Sequence, residues 1–255
     1  MSTRTILAFD ASTPRTAIAL GVLDLERGEA TQLAGVDVLD DASQASTWLV
    51  DQIMATLASA KIQGRALDLI VCGVGPGTFT GARVAVATAK GLALGLDRPV
   101  LPLSTLAAVA ASQPRRGAIV ATLDARRGEL YAARFDVEPE PAAMSGLHVR
   151  RRSQDTVVAA ADLLAEIAQL AAAPTIVGTG VHVIAAALAG SQSPTPALLP
   201  LDGVHAAGLW QATCDAFAAG VSLHPRELDA VYLRGSYAEL GVNRPKRPFV
   251  PSPFA

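Results

Sequence analysis

Cysteine, aromatic residues and charge are all scarce in this sequence. Its two cysteines, Cys72 and Cys214, are too few for a disulfide framework or a cysteine-rich metal site. Both lie in apolar stretches, as core thiols do. Charged residues make up 17% of the chain, against a typical ~25%. With 21 basic and 23 acidic side chains the formal net charge is −2. No basic footprint dominates, so strong binding of RNA or DNA by this chain alone is not expected. Long hydrophobic runs are missing too. Ile6 to Phe9 is too short for a signal-peptide core, and no stretch reaches the ~18 apolar residues of a membrane span. A cytoplasmic protein without a membrane association is expected. The histidines His148, His182, His205 and His224 are scattered without metal-ligand spacing, and no nucleophile–base pair stands out.

What the chain does have is aliphatic bulk. Hydrophobic residues reach 51% and aromatics only 4%, which excludes an intrinsically disordered chain. At roughly 150 residues per domain, 255 residues make one large domain or two small ones. The pattern begins with a hairpin over 5–23, two apolar runs flanking the polar turn Asp10 to Arg15. A less buried strand at 30–38 follows. A helix at about 44–60 has Ser43 as N-cap and Val50, Ile53, Met54 and Leu57 as its apolar face. Leu69 to Val74 reads as a strand buried on both faces. Thr80 caps a helix over 81–94 that carries Ala82, Ala85, Ala89 and Ala93. A strand at 99–103 and a helix from Ser104 to about 112 complete the first pattern.

The second half repeats the order. Strands are expected at 118–123, 130–135 and 145–150, with the turn Asp124 to Gly128 between the first two. Asp155 or Thr156 caps a helix to about 171; a strand at 175–178 and helices at 181–189 and 206–219 follow, with Gly220 at the last helix's C′ position. The order strand–strand–strand–helix–strand–helix in each half implies an α/β fold of two actin-like βββαβα subdomains, a duplicated mixed-sheet architecture shared by actin, sugar kinases and Hsp70 ATPases. The expected division is 1–103 and 104–240, with helix 206–219 packing back on the first unit. Residues 241–255, with Pro245, Pro248, Pro251 and Pro253, are expected to be a flexible tail.

In that fold group an Asp-led hairpin turn in each half handles nucleotide phosphates, usually through a metal. Here the positions are Asp10 and Ser12 in one turn and Asp124 and Arg126 in the other. An Asp holds a hydrated cation, and hydroxyls and backbone N–H groups meet phosphate oxygens. The same residues also simply build turns. In the second turn Arg126 and Arg127 stand where close phosphate approach wants glycine, which weakens the ATPase reading further, and Asp10, Ser12, Asp124 and Arg126 are taken as degenerate phosphate-turn positions.

The sequence 73–95 is the most specific feature: Gly73, Gly75, Pro76, Gly77, Thr78, Phe79, Thr80, Gly81, Arg83, then Gly91-Leu92-Ala93. It resembles the pattern G-x-GPG-[ST]-FTG-x-R of the TsaB (YeaZ) family. Ile6 to Ser12 resembles that family's opening strand and turn, Ser104-Thr105-Leu106 its following helix start, Leu123 to Tyr131 its second hairpin, and Val177 to Gly180 and Val231 to Arg234 its later landmarks. The resemblance spans roughly 5–235 and is weak over 136–175 and 185–225. A histidine that many members carry near the first helix is missing at Ala42 to Ala45.

The resemblance implies a degenerate, non-catalytic paralogue of TsaD, the enzyme that threonylcarbamoylates N6 of the adenosine beside the tRNA anticodon. It implies a scaffold that dimerises with TsaD, an assembly joined by the TsaE ATPase, contact with tRNA only through the complex, and no cofactor or metal of its own. The metal-binding His-x-x-x-His pair of TsaD has no counterpart in Ser104 to Ala111. Gly75, Pro76, Gly77, Phe79, Thr80, Gly81, Arg83, Ala85 and Ala89 are the candidate partner-interface or loop-forming residues. The glycines either present N–H groups to an anion or permit close packing. Phe79 is a loop anchor or a partner contact; Arg83 orients the loop or reaches across an interface. A homodimer through the same face is a further expectation. The rival readings are a free-standing actin-like ATPase or small-metabolite kinase holding Mg-nucleotide on Asp10, Ser12 and Asp124, and a metallopeptidase.

Overall fold

The computed structural model describes residues 3–39, 45–113, 115–140, 146–170, 172–189, 196–220 and 222–233. Ser43 and the stretch 241–255 lie outside them. The first half runs β1 (Thr3–Asp10), β2 (Arg15–Asp24), β3 (Glu29–Leu39), α1 (Ala45–Ser59), β4 (Leu69–Gly73), α2 (Phe79–Leu96), β5 (Val100–Leu103) and α3 (Thr105–Ala111). The second runs β6 (Gly117–Arg126), β7 (Glu129–Pro139), β8 (Leu147–Arg151), β9 (Thr156–Ala159), α4 (Ala160–Ile167), β10 (Thr175–Gly178), α5 (Val181–Leu188), β11 (Ala197–Pro200) and α6 (Ala206–Ala218).

The sheet orders β3-β2-β1-β4-β5 and β8-β7-β6-β10-β11 correspond strand by strand, with antiparallel hairpins on one side and parallel strands on the other, and the second sheet adds β9 beside β7. This is the duplicated mixed-sheet architecture that the repeated order implies. Helices α1 and α2 cover the outer face of the first sheet, and α4 and α5 that of the second. Between the sheets lie α3 and α6, packed on each other. Each sits against the other half's sheet: α6 on β1, β2, β3 and β5, α3 on β6, β7, β8 and β10. Gly208 lets them meet, since a Cβ there would lie 2.4 Å from the Ser112 backbone.

Four local expectations change. Helix α2 starts earlier than expected, because Thr78 and not Thr80 is its N-cap, its hydroxyl accepting from Gly81 N–H at 3.3 Å. On α1, Leu49, Ile53 and Leu57 face the core, while Val50 and Met54 are 49% and 56% exposed. The β-branched run Thr156-Val157-Val158 pairs with β7 as β9, so α4 begins only at Ala160. Asp155 caps no helix; it accepts from Ser104 Oγ at 2.7 Å. The short edge strand β11 carries too little pattern to be expected.

Residues 222–233 return to the first half. Leu223 and Val100 exchange backbone hydrogen bonds of 2.7 and 3.0 Å. Leu228 is fully buried in the core beneath α1 and α2, and Val231 N–H donates to Val74 O at 2.8 Å.

Candidate functional site

The turn between β1 and β2 is closed from within. Asp10 is fully buried. Its Oδ1 accepts from Ser12 N–H and Ser12 Oγ, both at 2.7 Å, and its Oδ2 accepts from Thr105 Oγ1 at 2.6 Å. The two hydroxyls lie 2.8 Å from each other. Gly73 packs on the carboxyl; a Cβ there would fall 2.0 Å from Oδ2. Burial pushes the Asp10 carboxyl above its ordinary pKa, and the hydrogen bonds from Thr105 and Ser12 offset this in part. Both carboxyl oxygens are thus engaged by the protein.

The opposite turn, between β6 and β7, is open. Asp124 Oδ1 accepts from Arg126 N–H at 2.7 Å, and its Oδ2 lies 3.5 Å from His182 Nε2. Arg126 and Arg127 both take left-handed backbone, φ 68° and 59°, before Gly128 at φ 77°. The Arg126 side chain is 75% exposed, with Nη1 3.7 Å from Asp124 Oδ2.

The glycine-rich loop serves close packing. A Cβ at Gly77 would meet Ser12 O at 2.3 Å, and one at Gly81 would meet Ala11 O at 1.9 Å. Thr78 N–H donates to Ser12 O at 2.7 Å, so the α2 N-terminus is sewn to the first turn. Thr105 N–H donates to Gly75 O at 2.9 Å, and the Gly75–Pro76 peptide is cis. Ala85 and Ala89 are fully buried in the core beneath α2. They form no surface, which corrects their place among possible partner contacts. Phe79 is exposed rather than a core anchor, and its ring leans on that of Tyr232, centroids 5.1 Å apart and planes tilted by 38°. The Arg83 guanidinium lies 3.8 Å over the Phe79 ring, and its Nε donates to Tyr232 Oη at 2.9 Å. Arg83 therefore bonds the returning segment and not the loop carbonyls.

A cleft of about 1430 Å³ separates the two turns. It gathers Ser12, Gly77, Phe79 and Arg83 from the first half and Asp124 and Arg126 from the second. Asp10, Pro76, Thr80, Gly81, Ala85 and Ala89 do not line it. Sequence reasoning gave no role to several residues that matter here. Thr105 completes the Asp10 contacts, and Tyr232 closes the rim; both stand in the quoted landmarks, the only signal that pointed to them. Asp202 and His205 went unnoticed as a pair. Arg15 makes two hydrogen bonds to Asp202, one of them at 2.7 Å from Nε. That pairing lowers the Asp202 carboxyl and raises the Arg15 guanidinium. His205 Nε2 lies 3.2 Å from Asp202, and its Nδ1 3.7 Å from Asp37 on β3. The Arg15–Asp202 ion pair thus joins the two halves beside the cleft, whose lining includes Asp202 and His205. Among the described residues no group of three or more His, Cys, Asp or Glu side chains could hold a metal ion, and no helix is long and apolar enough to cross a membrane.

Residues 40–171 match the family described as "TsaD: tRNA N6-adenosine threonylcarbamoyltransferase". A protein of Haemophilus influenzae named tRNA threonylcarbamoyladenosine biosynthesis protein TsaB is 36% identical over 134 residues, 51% of this chain and 53% of that protein. Its namesake in Escherichia coli is 31% identical over 134 residues, 51% of this chain and 54% of that protein. The match thus spans about half the length of these curated relatives. The crystal structure described as YeaZ from Pseudomonas aeruginosa superposes with a TM-score of 0.70 at 26% identity, covering 90% of this chain and all of that one.

Proposed function

Because the chain belongs to the TsaB (YeaZ) family, we propose that it is a non-catalytic subunit of the tRNA threonylcarbamoyladenosine pathway, pairing with a TsaD-type paralogue and supporting its transfer reaction. The observation that carries the non-catalytic part is the closed first turn. An Asp that is to hold a cation at a phosphate needs a free, ionised oxygen facing the cleft. Asp10 lies outside the cleft lining, its oxygens occupied by Ser12 and Thr105. Helix α3, beside it, carries only Thr, Leu, Ala and Val and is given to the core.

The pairing part is supported by the outer face of α1 and α2. Val50 and Met54 on α1 and Leu94 on α2 are each about half exposed, 49%, 56% and 51%. Ala87 and Gly91, seven and three residues before Leu94 on α2, are exposed and small, which allows a partner helix to approach closely. An apolar patch of this kind on a folded surface marks an interaction site. A TsaE-type ATPase joins through the complex in this reading, nucleotide and metal reside on the partners, and the setting is the cytoplasm. A homodimer would use the same α1–α2 face in the absence of the paralogue.

Size-exclusion chromatography with light scattering, mixing the chain with TsaD from the same organism, tests the reading. A one-to-one complex is expected, with tRNA modification only when the partner is present. Modification by this chain alone, or magnesium-dependent ATP binding that Asp10→Ala abolishes, would overturn it in favour of an enzyme.

A further inference from the structure

The outward side of α2 is a single stripe. Phe79, Arg83, Ala87, Gly91 and Leu94 are all exposed and follow one another at intervals of four or three residues, which puts them on one helical face. Arg83 is the charged residue of that stripe, one turn before Ala87. Charge is sparse on both helices of the face. Asp51 is the acid of α1, Arg83 and Lys90 are the bases of α2, and α2 has no acid.

Arg83 is held in place but not neutralised. Its guanidinium lies 3.8 Å over the Phe79 ring, and its Nε donates to Tyr232 Oη at 2.9 Å. Tyr232 is itself anchored, because the chain before it is fixed by Leu228 in the core and by the bond from Val231 N–H to Val74 O. These contacts use one nitrogen and one face of the guanidinium. Among the described residues no carboxylate pairs with Arg83, and its two terminal nitrogens make no hydrogen bond. The acids of the returning segment are turned to their own backbone: Glu227 accepts from His224 N–H at 3.3 Å and Asp229 from Ala230 N–H at 2.8 Å. A guanidinium fixed by its Nε and its face, with both terminal nitrogens open, is a fork that a carboxylate meets with two parallel hydrogen bonds.

We propose that Arg83 is the carboxylate-binding residue of the pairing face: an Asp or Glu side chain of the TsaD-type paralogue docks on its two terminal nitrogens, at the Phe79 and Tyr232 end of the α1–α2 patch. This inference rests on the pairing reading given above and adds the partner's chemistry to it. Charge decides between the two occupants of this face. A second copy brings another Arg83 and another Lys90 on its α2, and only Asp51 on its α1 to answer them. A paralogue with a carboxylate at this point answers Arg83 directly. The arginine thus favours the heterodimer over the homodimer, because like charges brought together disfavour the wrong partner.

Isothermal titration of the full chain with TsaD from the same organism, at low and at high salt, tests this. Arg83→Gln is expected to weaken pairing at least about 30-fold at low salt, the loss that follows when one partner of a hydrogen-bonded interface charge pair is truncated. Wild type is expected to lose affinity as salt rises, and Arg83→Gln to lose less. Arg83→Lys keeps the charge without the fork and should fall between the two. It also carries the test if thermal unfolding shows that Arg83→Gln loosens the returning segment. Self-association of each variant is followed by light scattering. Wild-type affinity in Arg83→Gln overturns the proposal alone. An equal loss at both salt concentrations overturns it in favour of simple packing on the Phe79 ring. Self-association lost in Arg83→Gln, with TsaD pairing unchanged, overturns it in favour of a second copy. No pairing by wild type refutes the scaffold reading and this inference with it.

Discussion

Asp10→Asn and Asp10→Ala distinguish a neutral, hydrogen-bonded Asp10 from an ionised one. Three close oxygen–oxygen contacts, of 2.7, 2.8 and 2.6 Å, join the carboxyl to Ser12 Oγ, Ser12 Oγ to Thr105 Oγ1, and Thr105 Oγ1 back to the carboxyl. Two hydroxyls hold two protons, so an ionised carboxylate leaves one contact without a proton. A proton on Asp10 Oδ2 would fill all three by turning the Thr105 contact round, so that the carboxyl donates to Thr105 Oγ1 instead of accepting from it; burial pushes the carboxyl pKa upward, toward that arrangement. Asparagine supplies the same pattern, its Nδ2 donating to Thr105 and its Oδ1 accepting from Ser12. Asp10→Asn is therefore expected to change stability by less than about 1 kcal/mol. Asp10→Ala strands the Ser12 N–H and one of the two hydroxyl protons in the core, since Ser12 Oγ and Thr105 Oγ1 keep only each other. At roughly 1–3 kcal/mol for each unsatisfied buried group, a loss of about 4 kcal/mol follows, or roughly 8–16 °C in Tm for a chain of this size.

Acidity adds a second reading of the same pair. A carboxyl whose pKa is raised on folding contributes its stability below the unfolded pKa and loses it as pH rises through the folded one. Between those two values, urea unfolding should show wild type gaining on Asp10→Asn as pH falls, by at most about 1.4 kcal/mol per pH unit. A wild type that loses ground to Asp10→Asn on acidification, or an asparagine variant as unstable as the alanine one, would refute a neutral Asp10.

Other outcomes follow from the same geometry. Gly81→Ala drives a methyl to 1.9 Å from Ala11 O and should destabilise by about 2–4 kcal/mol in thermal unfolding, whereas Gly91→Ala, which meets nothing within 4 Å, should stabilise slightly. Met54→Glu, on a side chain 56% exposed, should leave Tm within about 2 °C and abolish co-elution with TsaD. Cys72 and Cys214 are buried with thiol pKa values pushed up by burial, Cys214 to about 12, so neither should react with a thiol reagent until urea unfolds the chain.

The duplicated element order was legible because long aliphatic runs and Asp-led turns punctuate both halves alike. The burial of α1 was not. Leu49 and Val50 are adjacent and apolar, as are Ile53 and Met54, so the helical period fits two faces equally well and only packing against the sheet selects Leu49 and Ile53. The start of α2 was blurred by hydroxyls at both Thr78 and Thr80; the close contact of Gly81 with Ala11 O decides for Thr78. Asp10 and Ser12 were visible as a turn, but nothing local foretells that Thr105 reaches them across ninety-odd residues of chain. Tyr232 pairs with Phe79 and Arg83 only through a return of the chain that no periodicity encodes.

That return has a consequence for synthesis. Ribosomes deliver the first half long before residues 222–233, yet those residues fill its core with Leu228 and cover the free edge of β5 through Leu223. Domains released from the N-terminus normally settle as they emerge. Here the half made first waits, with an unfilled apolar socket and an unpaired strand edge, until residues 222–233 have been made. A chain stopped at residue 220 is thus a ready substrate for chaperones and proteases.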